Sequence, residues 1–420
     1  MNSLQDVRSI SQSYMFSKST LKDLSFLDIC NRNHDFFPIL GGLVVDLRTG
    51  ETRERTREDL FTLECPVNYI PESEWTDTDH SVLHNFIDKL FVEIPEYIAF
   101  MRIKLGSYLS GRNSRKFDLF HGDGKNGKSA LFKALQIMFA DFCASIGTNV
   151  VVSNSRAKKI ESKGGHTSHM MPIEGKRFVL TQELEEGCDL DTANVKLLTS
   201  GDPIGGCREL FGETRTIYPF CSVGITTNYM PNFNVQDKGV LDRLEVLPFR
   251  ARFMEDEELE QEKKSGKYDP TRYAYYEKDA QLINKYDKPG RAIDILFSWM
   301  VGGCMEFYRT YDIGYPRPNI VSQYKSAKVD ENDVIGQFLD EKCEIVLVAE
   351  WQKMSKSAQK TYTIKALVLY ETFSTWAKDN DCHSGYGKIK FYSYLNDRIG
   401  KSARARNIYE RIRIKTPFDE

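Results

Sequence analysis

Residues 122–129 have the types and the spacing of a phosphate-binding loop. Gly122 is followed by four residues and then by Gly127, Lys128 and Ser129. Glycines allow the backbone to turn its N–H groups towards a polyphosphate, an approach that side chains would block. A lysine at this position reaches the β- and γ-phosphates, and the serine hydroxyl can bind Mg²⁺. We therefore predict that the chain binds a nucleoside triphosphate such as ATP, with Mg²⁺. The residues predicted to contact the nucleotide are Gly122, Asp123, Gly124, Lys125, Asn126, Gly127, Lys128, Ser129 and Ala130.

A strand before the loop and a helix after it are needed to aim the loop at a phosphate. Residues 117–120 are mostly apolar, as in a short strand. Behind the loop, apolar residues recur at helical steps, which indicates a helix whose positive end faces the phosphates. A chance match to the glycine pattern is expected at on the order of a per cent or two in such a chain. These flanks make an accidental match in a surface turn the weaker explanation.

Two later strands are predicted to end in side chains that suit the same chemistry. Residues 177–183 are apolar up to Glu183, and residues 219–226 are followed by Asn228. Glu183 could hold Mg²⁺ through water or activate the attacking water, and Asn228 could hold that water. Each signal is weak alone, and a turn before Pro231 would by itself be the better interpretation of Asn228. Together with the loop, they predict an α/β nucleotide-binding fold with the ligand at the carboxyl ends of the strands.

Composition and charge narrow the class of protein. The chain has 420 residues, of which 41% are hydrophobic and 28% charged, as in globular proteins of two or three domains. The sequence shows neither a signal-peptide pattern nor an apolar run of membrane-spanning length, so we expect an intracellular protein without a membrane partner. The nine cysteines are dispersed, which indicates reduced thiols and no disulfide framework or zinc site. A net charge of −3 restricts any nucleic-acid surface to local patches.

The rest of the chain gives weaker signals. Residues 385–415 hold nine Lys or Arg and two acids among several aromatic residues. This segment fits a solvated basic helix face and a nucleic-acid surface equally well. Other patterns predict a strand with a turn at 36–45, a solvated mixed-charge surface at 46–62, two helices separated by Pro95, an exposed insertion or lid at 254–286, and an inter-domain connection at 316–333.

Four segments occur together in order, namely GDGKNGKS at 122–129, RFVLTQELEEG at 177–187, KLLTSGDPIGGCREL at 196–210 and ITTNYMPNF at 225–233. This set resembles the superfamily 3 helicases, most closely the helicase part of the poxvirus-type primase–helicases of large DNA viruses. The stretch at 38–62 is similar to the domain before the ATPase in that family, and the basic C-terminal segment to its winged-helix tail. The resemblance implies an AAA+-type P-loop ATPase core at 96–330, a helical N-terminal domain at 1–95 that could form an oligomerising collar, and a winged-helix-like basic domain at 331–420.

The resemblance also implies roles for the residues of the second and third motifs. Lys128 and Ser129 keep their phosphate and Mg²⁺ roles, and Asn228 becomes an amide sensor. Glu183 becomes the acid that serves Mg²⁺ and the attacking water. The family commonly has two neighbouring acids there, whereas Leu184 follows Glu183 in this chain. The question of whether Glu185 shares this task with Glu183 is left open.

An arginine finger is implied at Arg243. In the family such a residue enters the neighbouring subunit's site, where a guanidinium neutralises charge on the transferring phosphoryl group. Arg250 and Arg252 are close competitors for this role. An arginine supplied in trans requires head-to-tail contacts, which close into a ring. The implied assembly is a ring-shaped homo-hexamer.

A hairpin projecting into the central channel is implied between the second and third motifs. Arg208 and Arg215 offer cations for a DNA backbone and Phe211 a ring for stacking on bases, with Lys196 a less certain member. Without the resemblance, an ordinary polar hairpin would be the simpler interpretation. ATP would move the hairpins along single-stranded DNA at a fork.

The implied function is an ATP-dependent DNA helicase, an ATP hydrolase coupled to unwinding in viral-type DNA replication. It would work at replication sites in the host cytoplasm or nucleus, with other replication proteins or a primase domain as partners. These 420 residues have no room for a primase, so we expect a helicase fragment or a stand-alone version. Two alternatives remain, a P-loop small-molecule kinase and an ATP-binding assembly or packaging scaffold that does not unwind DNA.

Overall fold

The computed structural model describes residues 29–112, 114–153, 168–207, 214–311, 314–380, 382, 386–400 and 407–416. Its strands are β1 (Phe36–Ile39), β2 (Leu43–Asp46), β3 (Thr52–Glu54), β4 (Phe117–His121), β5 (Cys143–Ile146), β6 (Phe178–Gln182), β7 (Ile204–Cys207), β8 (Arg215–Ile217), β9 (Ser222–Thr227), β10 (Leu244–Pro248), β11 (Ala251–Met254), β12 (Ala274–Glu277), β13 (Cys343–Ile345), β14 (Thr363–Lys365), β15 (Ile408–Glu410) and β16 (Ile412–Ile414).

The α-helices in the described residues are α1 (Asp77–Leu90), α2 (Pro95–Ser110), α3 (Lys128–Phe139), α4 (Thr192–Ser200), α5 (Lys238–Leu241), α6 (Asp256–Lys264), α7 (Ala280–Lys285), α8 (Arg291–Thr310), α9 (Asn319–Asn332), α10 (Val334–Lys342), α11 (Val348–Lys353), α12 (Lys356–Thr361), α13 (Ala366–Asp379) and α14 (Lys388–Arg398). No helix in this described part of the chain is long and apolar enough to cross a membrane.

A parallel sheet of five strands forms the centre, in the order β10-β4-β9-β6-β5. All five residues of β4 are buried, as expected of a parallel strand covered by helices on both faces. Leu119 and Ile225 pair across β4 and β9, and Gln182 of β6 pairs with Thr226. The three strands therefore end side by side. This mixed α/β arrangement fits a P-loop-like core and confirms the predicted α/β class at that level.

The two faces of the sheet have separate apolar cores. One face packs with α1, α2, α3 and α8. The other packs with α4 and the β7–β8 hairpin. Helices α2 and α8 cross so closely that a Cβ at Gly106 would collide with the backbone of Cys304, and a Cβ at Gly303 with the carbonyl of Arg102. Pro95 opens α2 as its first residue, and the two predicted helices on either side of it are confirmed.

The described residues before α1 form a small antiparallel sheet of β1, β2 and β3. The predicted strand with a turn at 36–45 is confirmed as the β1–β2 hairpin, whose turn includes Gly41 at φ 79°. The prediction of a helical N-terminal domain is not confirmed in the described residues, where one helix, α1, follows three strands. Phe37 and Val45 belong to the same apolar core as α3 and α8.

The chain beyond α9 has an apolar core of its own, built on Phe338, Phe373 and Phe391. Strand β13 pairs with β16 and β14 with β15, both antiparallel. Most of the expected connection at 316–333 is helix α9, which the sequence did not predict. Val321 is the only buried residue of that helix. The sequence of α9 therefore lacks the regularly spaced apolar residues from which a helix is predicted.

Candidate functional site

The carboxyl ends of β4, β9 and β6 meet around one cavity of about 370 Å³. Lys128 and Ser129 enter it from the start of α3, Glu183 follows β6, and Asn228 follows β9. The structure thus brings together four of the predicted site residues. They come from segments up to 100 residues apart in the chain. Further lining residues are Phe132, Lys133, Gln136, Leu180, Thr226 and Thr227.

Lys128 is buried at the centre of this group. Its ammonium donates to Asn228 Oδ1 at 3.0 Å and to the Thr227 carbonyl at 3.4 Å, and it also contacts the Gly122 carbonyl. Burial lowers the pKa of the Lys128 ammonium to about 8, because its charged form loses water, although Asp123 and Glu183 act in the opposite direction. A phosphate group in the cavity would replace these uncharged carbonyl partners with anionic oxygens.

The loop backbone has little room around it. Gly127 has φ 79°, and a Cβ there would lie 2.6 Å from Leu90 Cδ1 and 3.1 Å from Phe253 Cε2. A Cβ at Gly122 would collide with the Phe249 carbonyl. Asn126 closes the turn, since its side-chain oxygen accepts from the Lys128 N–H at 3.2 Å. Close approach therefore requires a glycine at 122, and close approach together with left-handed backbone requires one at 127, whereas a Cβ at Gly124 would meet no atom within 4 Å.

Glu183 has a strained backbone. Its φ is 26°, a region that non-glycine residues rarely adopt and that costs of order 1–3 kcal/mol. The side chain is exposed into the cavity that Lys128 and Asn228 also line. Strain of this kind collects where the surrounding structure forces a functional side chain into position. Glu185, the other acid considered, is exposed two residues further along.

Arg243 lies at the opposite end of the sheet from this cavity. Its carbonyl accepts from the N–H of Phe117, the first residue of β4, whereas the loop follows the last. The separation along the strands is about 20 Å. The guanidinium donates to the Gly239 carbonyl at 2.8 Å. Arg243 therefore does not reach the cavity of its own chain.

The competing arginines are at the correct end but have other partners. Arg252 makes a bidentate ion pair with Glu262, both distances 2.8 Å. Arg250 donates to the carbonyls of Thr271 and Arg272 at 2.7 Å each. Both side chains thus position the segment between β11 and β12.

The segment 251–286 contacts the phosphate loop directly. The sequence, which predicted an exposed insertion or lid at 254–286, did not indicate this contact. Asp123 in the loop contacts the Tyr273 hydroxyl and lies 3.4 Å from the Arg272 guanidinium. Lys125 pairs with Glu258 at 2.8 Å. We call the pair of Arg272 and Tyr273 the clasp. No local pattern marks these residues, since their partner is about 150 positions away.

The predicted DNA-contacting residues are only partly covered by the structure. Arg208 and Phe211 lie outside the described residues. Arg215 begins β8, where its backbone is described opposite Cys207 of β7. Lys196, the less certain member, has its ammonium 2.6 Å and 2.8 Å from the two carboxylate oxygens of Asp237.

Comparison with known proteins gives distant relatives. No protein-family model matches the chain. The chain is 24% identical over 365 residues to Putative helicase L207/L206 of Acanthamoeba polyphaga mimivirus, covering 85% of this chain and 34% of that protein. It is 26% identical over 230 residues to Putative helicase V13 of Sputnik virophage, covering 53% of this chain and 27% of that protein. The chain spans about a third or less of the length of these relatives.

Among solved structures, the chain has a distant similarity to the apo NrS-1 C-terminal region (305–718). It has a TM-score of 0.46 and 11% sequence identity, and covers 87% of this chain and 81% of that chain. The two sequence relatives, at 24% and 26% identity, are viral proteins that carry a helicase name.

Proposed function

We propose that this protein is an ATP-dependent DNA helicase of the superfamily 3, AAA+ kind, related to the poxvirus-type primase–helicases. The observation that carries the proposal is the meeting of Lys128, Asn228 and Glu183 at one cavity behind a phosphate-binding loop. A lysine for phosphate, an amide for the attacking water and a carboxylate are the groups that nucleotide hydrolysis needs. The similarity to viral proteins named helicases supports coupling of that hydrolysis to DNA unwinding.

The residues at the cavity fit Mg²⁺ as well as ATP. The Ser129 hydroxyl and the Glu183 carboxylate line the same cavity, and both are oxygen donors of the kind that this cation prefers. Bound there with ATP, Mg²⁺ would neutralise charge on the phosphate oxygens. Glu183 would hold the attacking water or the metal's water, and Asn228 would hold the water in line with the γ-phosphate.

The position of Arg243 supports a shared site in a ring. Because it lies about 20 Å along the strands from the phosphate loop of its own chain, it can serve only a neighbouring subunit's nucleotide. Head-to-tail repetition of that contact closes a ring, for which we propose a homo-hexamer. The β7–β8 hairpin would face the channel and move along single-stranded DNA, with a winged-helix-like domain beyond α9 as a second DNA contact. We place this activity in viral-type DNA replication.

ATPase and unwinding assays test the proposal. We expect single-stranded DNA to stimulate ATP hydrolysis by the wild-type protein, and a forked DNA to be unwound. Lys128→Ala should lose ATP binding, whereas Glu183→Gln should bind ATP and fail to hydrolyse it. Lys264→Ala, which removes an exposed lysine of α6, is the control and should behave as wild type. Equal unwinding by Glu183→Gln would reject the catalytic assignment, and hydrolysis that DNA does not change would favour a small-molecule kinase.

A further inference from the structure

A second cavity, of about 210 Å³, lies on the other side of the junction between the phosphate loop and α3. We call it the apolar cavity. The loop side is formed by Gly127 and Ala130. Its apolar walls come from three separate parts of the chain, namely Phe86 and Leu90 of α1, Phe253 of β11, and Leu282 and Ile283 of α7.

The two cavities divide the loop–helix junction between them. Lys128 and Ser129 line the first cavity with Glu183, while Gly127 and Ala130 line the second. If the γ-phosphate of a triphosphate lies beside Lys128, the opposite end of the molecule extends from the loop past the start of α3. That end carries the sugar and the base. The apolar cavity is where a base would arrive.

The walls of the apolar cavity are held from behind by other aromatic rings. Phe86 stacks on Tyr286 with ring centroids 4.1 Å apart and an angle of 20°. Phe253 stacks on Tyr276 at 5.7 Å and 30°. Rigid aromatic and aliphatic surfaces suit a flat heteroaromatic ring, which gains both burial and stacking from them.

The rim of the apolar cavity offers polar groups to the edge of such a ring. Asn85 uses its amide nitrogen to donate to the Ser81 carbonyl at 2.9 Å, which leaves its oxygen as an acceptor. Asp279 adds a carboxylate at the start of α7. Lys125 and Glu258, paired at 2.8 Å, close the side next to the loop. An apolar slot with a polar rim is typical of small-molecule sites.

We infer that the apolar cavity binds the nucleobase of the triphosphate whose phosphates lie on residues 122–129. The inference rests on the proposed function only in requiring a nucleotide at that loop. Segment 251–286 and helix α1 then belong to the nucleotide site, and they determine whether the protein distinguishes a nucleotide from a bare polyphosphate.

Calorimetric titration of the full chain with Mg²⁺–ATP and with Mg²⁺–tripolyphosphate tests the inference, because the second ligand has phosphates and no base. The wild type should bind ATP more tightly. Leu282→Trp fills the cavity, and should weaken ATP binding roughly tenfold or more while leaving tripolyphosphate binding unchanged. Leu367→Trp, at an exposed leucine of α13, is the matched control and should change neither. ATP affinity unchanged in Leu282→Trp would overturn the inference.

A second variant guards against misfolding. If Leu282→Trp loses both ligands, Leu282→Ala decides, since it enlarges the cavity and should weaken ATP alone. Equal weakening of both ligands in Leu282→Ala would overturn the inference. Failure of the proposed function would give a different result. The wild type would then bind ATP more tightly than tripolyphosphate but would neither unwind DNA nor respond to it, and the inference of a nucleobase site would be unaffected.

Discussion

At the scale of single residues, the protonation of Lys128 would link the proposed nucleotide binding to pH. Its pKa is lowered from 10.5 to about 8 by burial. Phosphate oxygens would raise this pKa again, so ATP binding above pH 8 must take up a proton. A buried cation of this kind also costs folding stability below pH 8. That cost is relieved as the pH rises from about 8 towards 10.5. In this range the folded protein loses the proton of Lys128, whereas the unfolded chain still binds it.

We therefore predict that ATP affinity is nearly constant up to about pH 8 and then falls, by at most about tenfold per pH unit. The terminal phosphate does not add to this change, since it loses its last proton at about pH 6. Isothermal titration calorimetry at pH 9, in two buffers of different ionisation enthalpy, should detect the proton taken up. Lys128→Met should bind weakly and without the pH step. An affinity that stays constant to pH 10 would contradict the prediction.

Backbone strain at Glu183 can be separated from its chemistry by two substitutions. Glu183→Ala and Glu183→Gly both remove the carboxylate, and we expect both to abolish ATP hydrolysis. Glycine adopts positive φ without a Cβ clash, so the glycine variant should be more stable than the alanine variant by about 1 kcal/mol. Urea unfolding of the two variants measures this difference. A more stable alanine variant would mean that residue 183 relaxes to ordinary strand geometry when the carboxylate is absent.

At the scale of elements, the clasp offsets an acidic charge within the phosphate loop. Asp123 would repel a triphosphate, and Arg272 and Tyr273 both contact it. The pair of Asp123 and Arg272 is largely exposed, so its contribution is small and screened by salt. Burial and the contact with Asp123 raise the pKa of Tyr273 to about 12, which keeps its hydroxyl a donor at neutral pH.

We expect Arg272→Ala to weaken ATP binding roughly two- to fivefold at low salt and less at high salt. In an Asp123→Asn background the same substitution should have almost no effect, because the charge that Arg272 offsets is gone. Lys263→Ala, which removes another cation of the same segment, is the control. Equal losses from Arg272→Ala in both backgrounds would show that Arg272 acts on the nucleotide without Asp123.

The elements that carry the proposed catalytic side chains were predictable because their signals are local. Glycine spacing gave the loop, and short apolar runs gave β4, β6 and β9 with Glu183 and Asn228 at their ends. Strand β3 and helix α9 were missed, since β3 is exposed throughout and α9 buries only Val321. Strand β3 depends on its pairing with β2, and helix α9 depends on packing against the core.

The rest of the site could not be predicted because it depends on distant parts of the chain. The apolar cavity combines α1, β11 and α7, and the clasp reaches the loop from about 150 residues away. Helix α1 was predicted from its own apolar spacing, but no local pattern indicates that these segments meet at the loop. The arginine-finger role of Arg243 was predicted by resemblance and stays a prediction, and the distance of Arg243 from the loop follows only from the parallel register of β10 and β4.

At the scale of the whole molecule, the proposed shared site predicts that two inactive variants restore each other's activity. Lys128→Ala has a defective nucleotide site and an intact arginine, whereas Arg243→Ala has the reverse. In a mixed ring, a Lys128→Ala subunit can supply its arginine to the intact site of an Arg243→Ala neighbour. We expect each variant alone to have little DNA-stimulated ATPase activity, and an equal mixture to recover up to about a quarter of the wild-type rate if subunits mix at random, since one interface in four is then complete.

The control mixture pairs Lys128→Ala with Glu183→Gln. Both changes damage the nucleotide side of the interface, so no arrangement of subunits completes a site and the activity should stay low. Light scattering on each sample checks that rings form and have equal mass. If the first mixture also stays inactive while rings of mixed composition form, Arg243 does not act across the interface. Its separation from the loop along β4 and β10 would then exclude it from catalysis altogether, because the same chain's site is about 20 Å away.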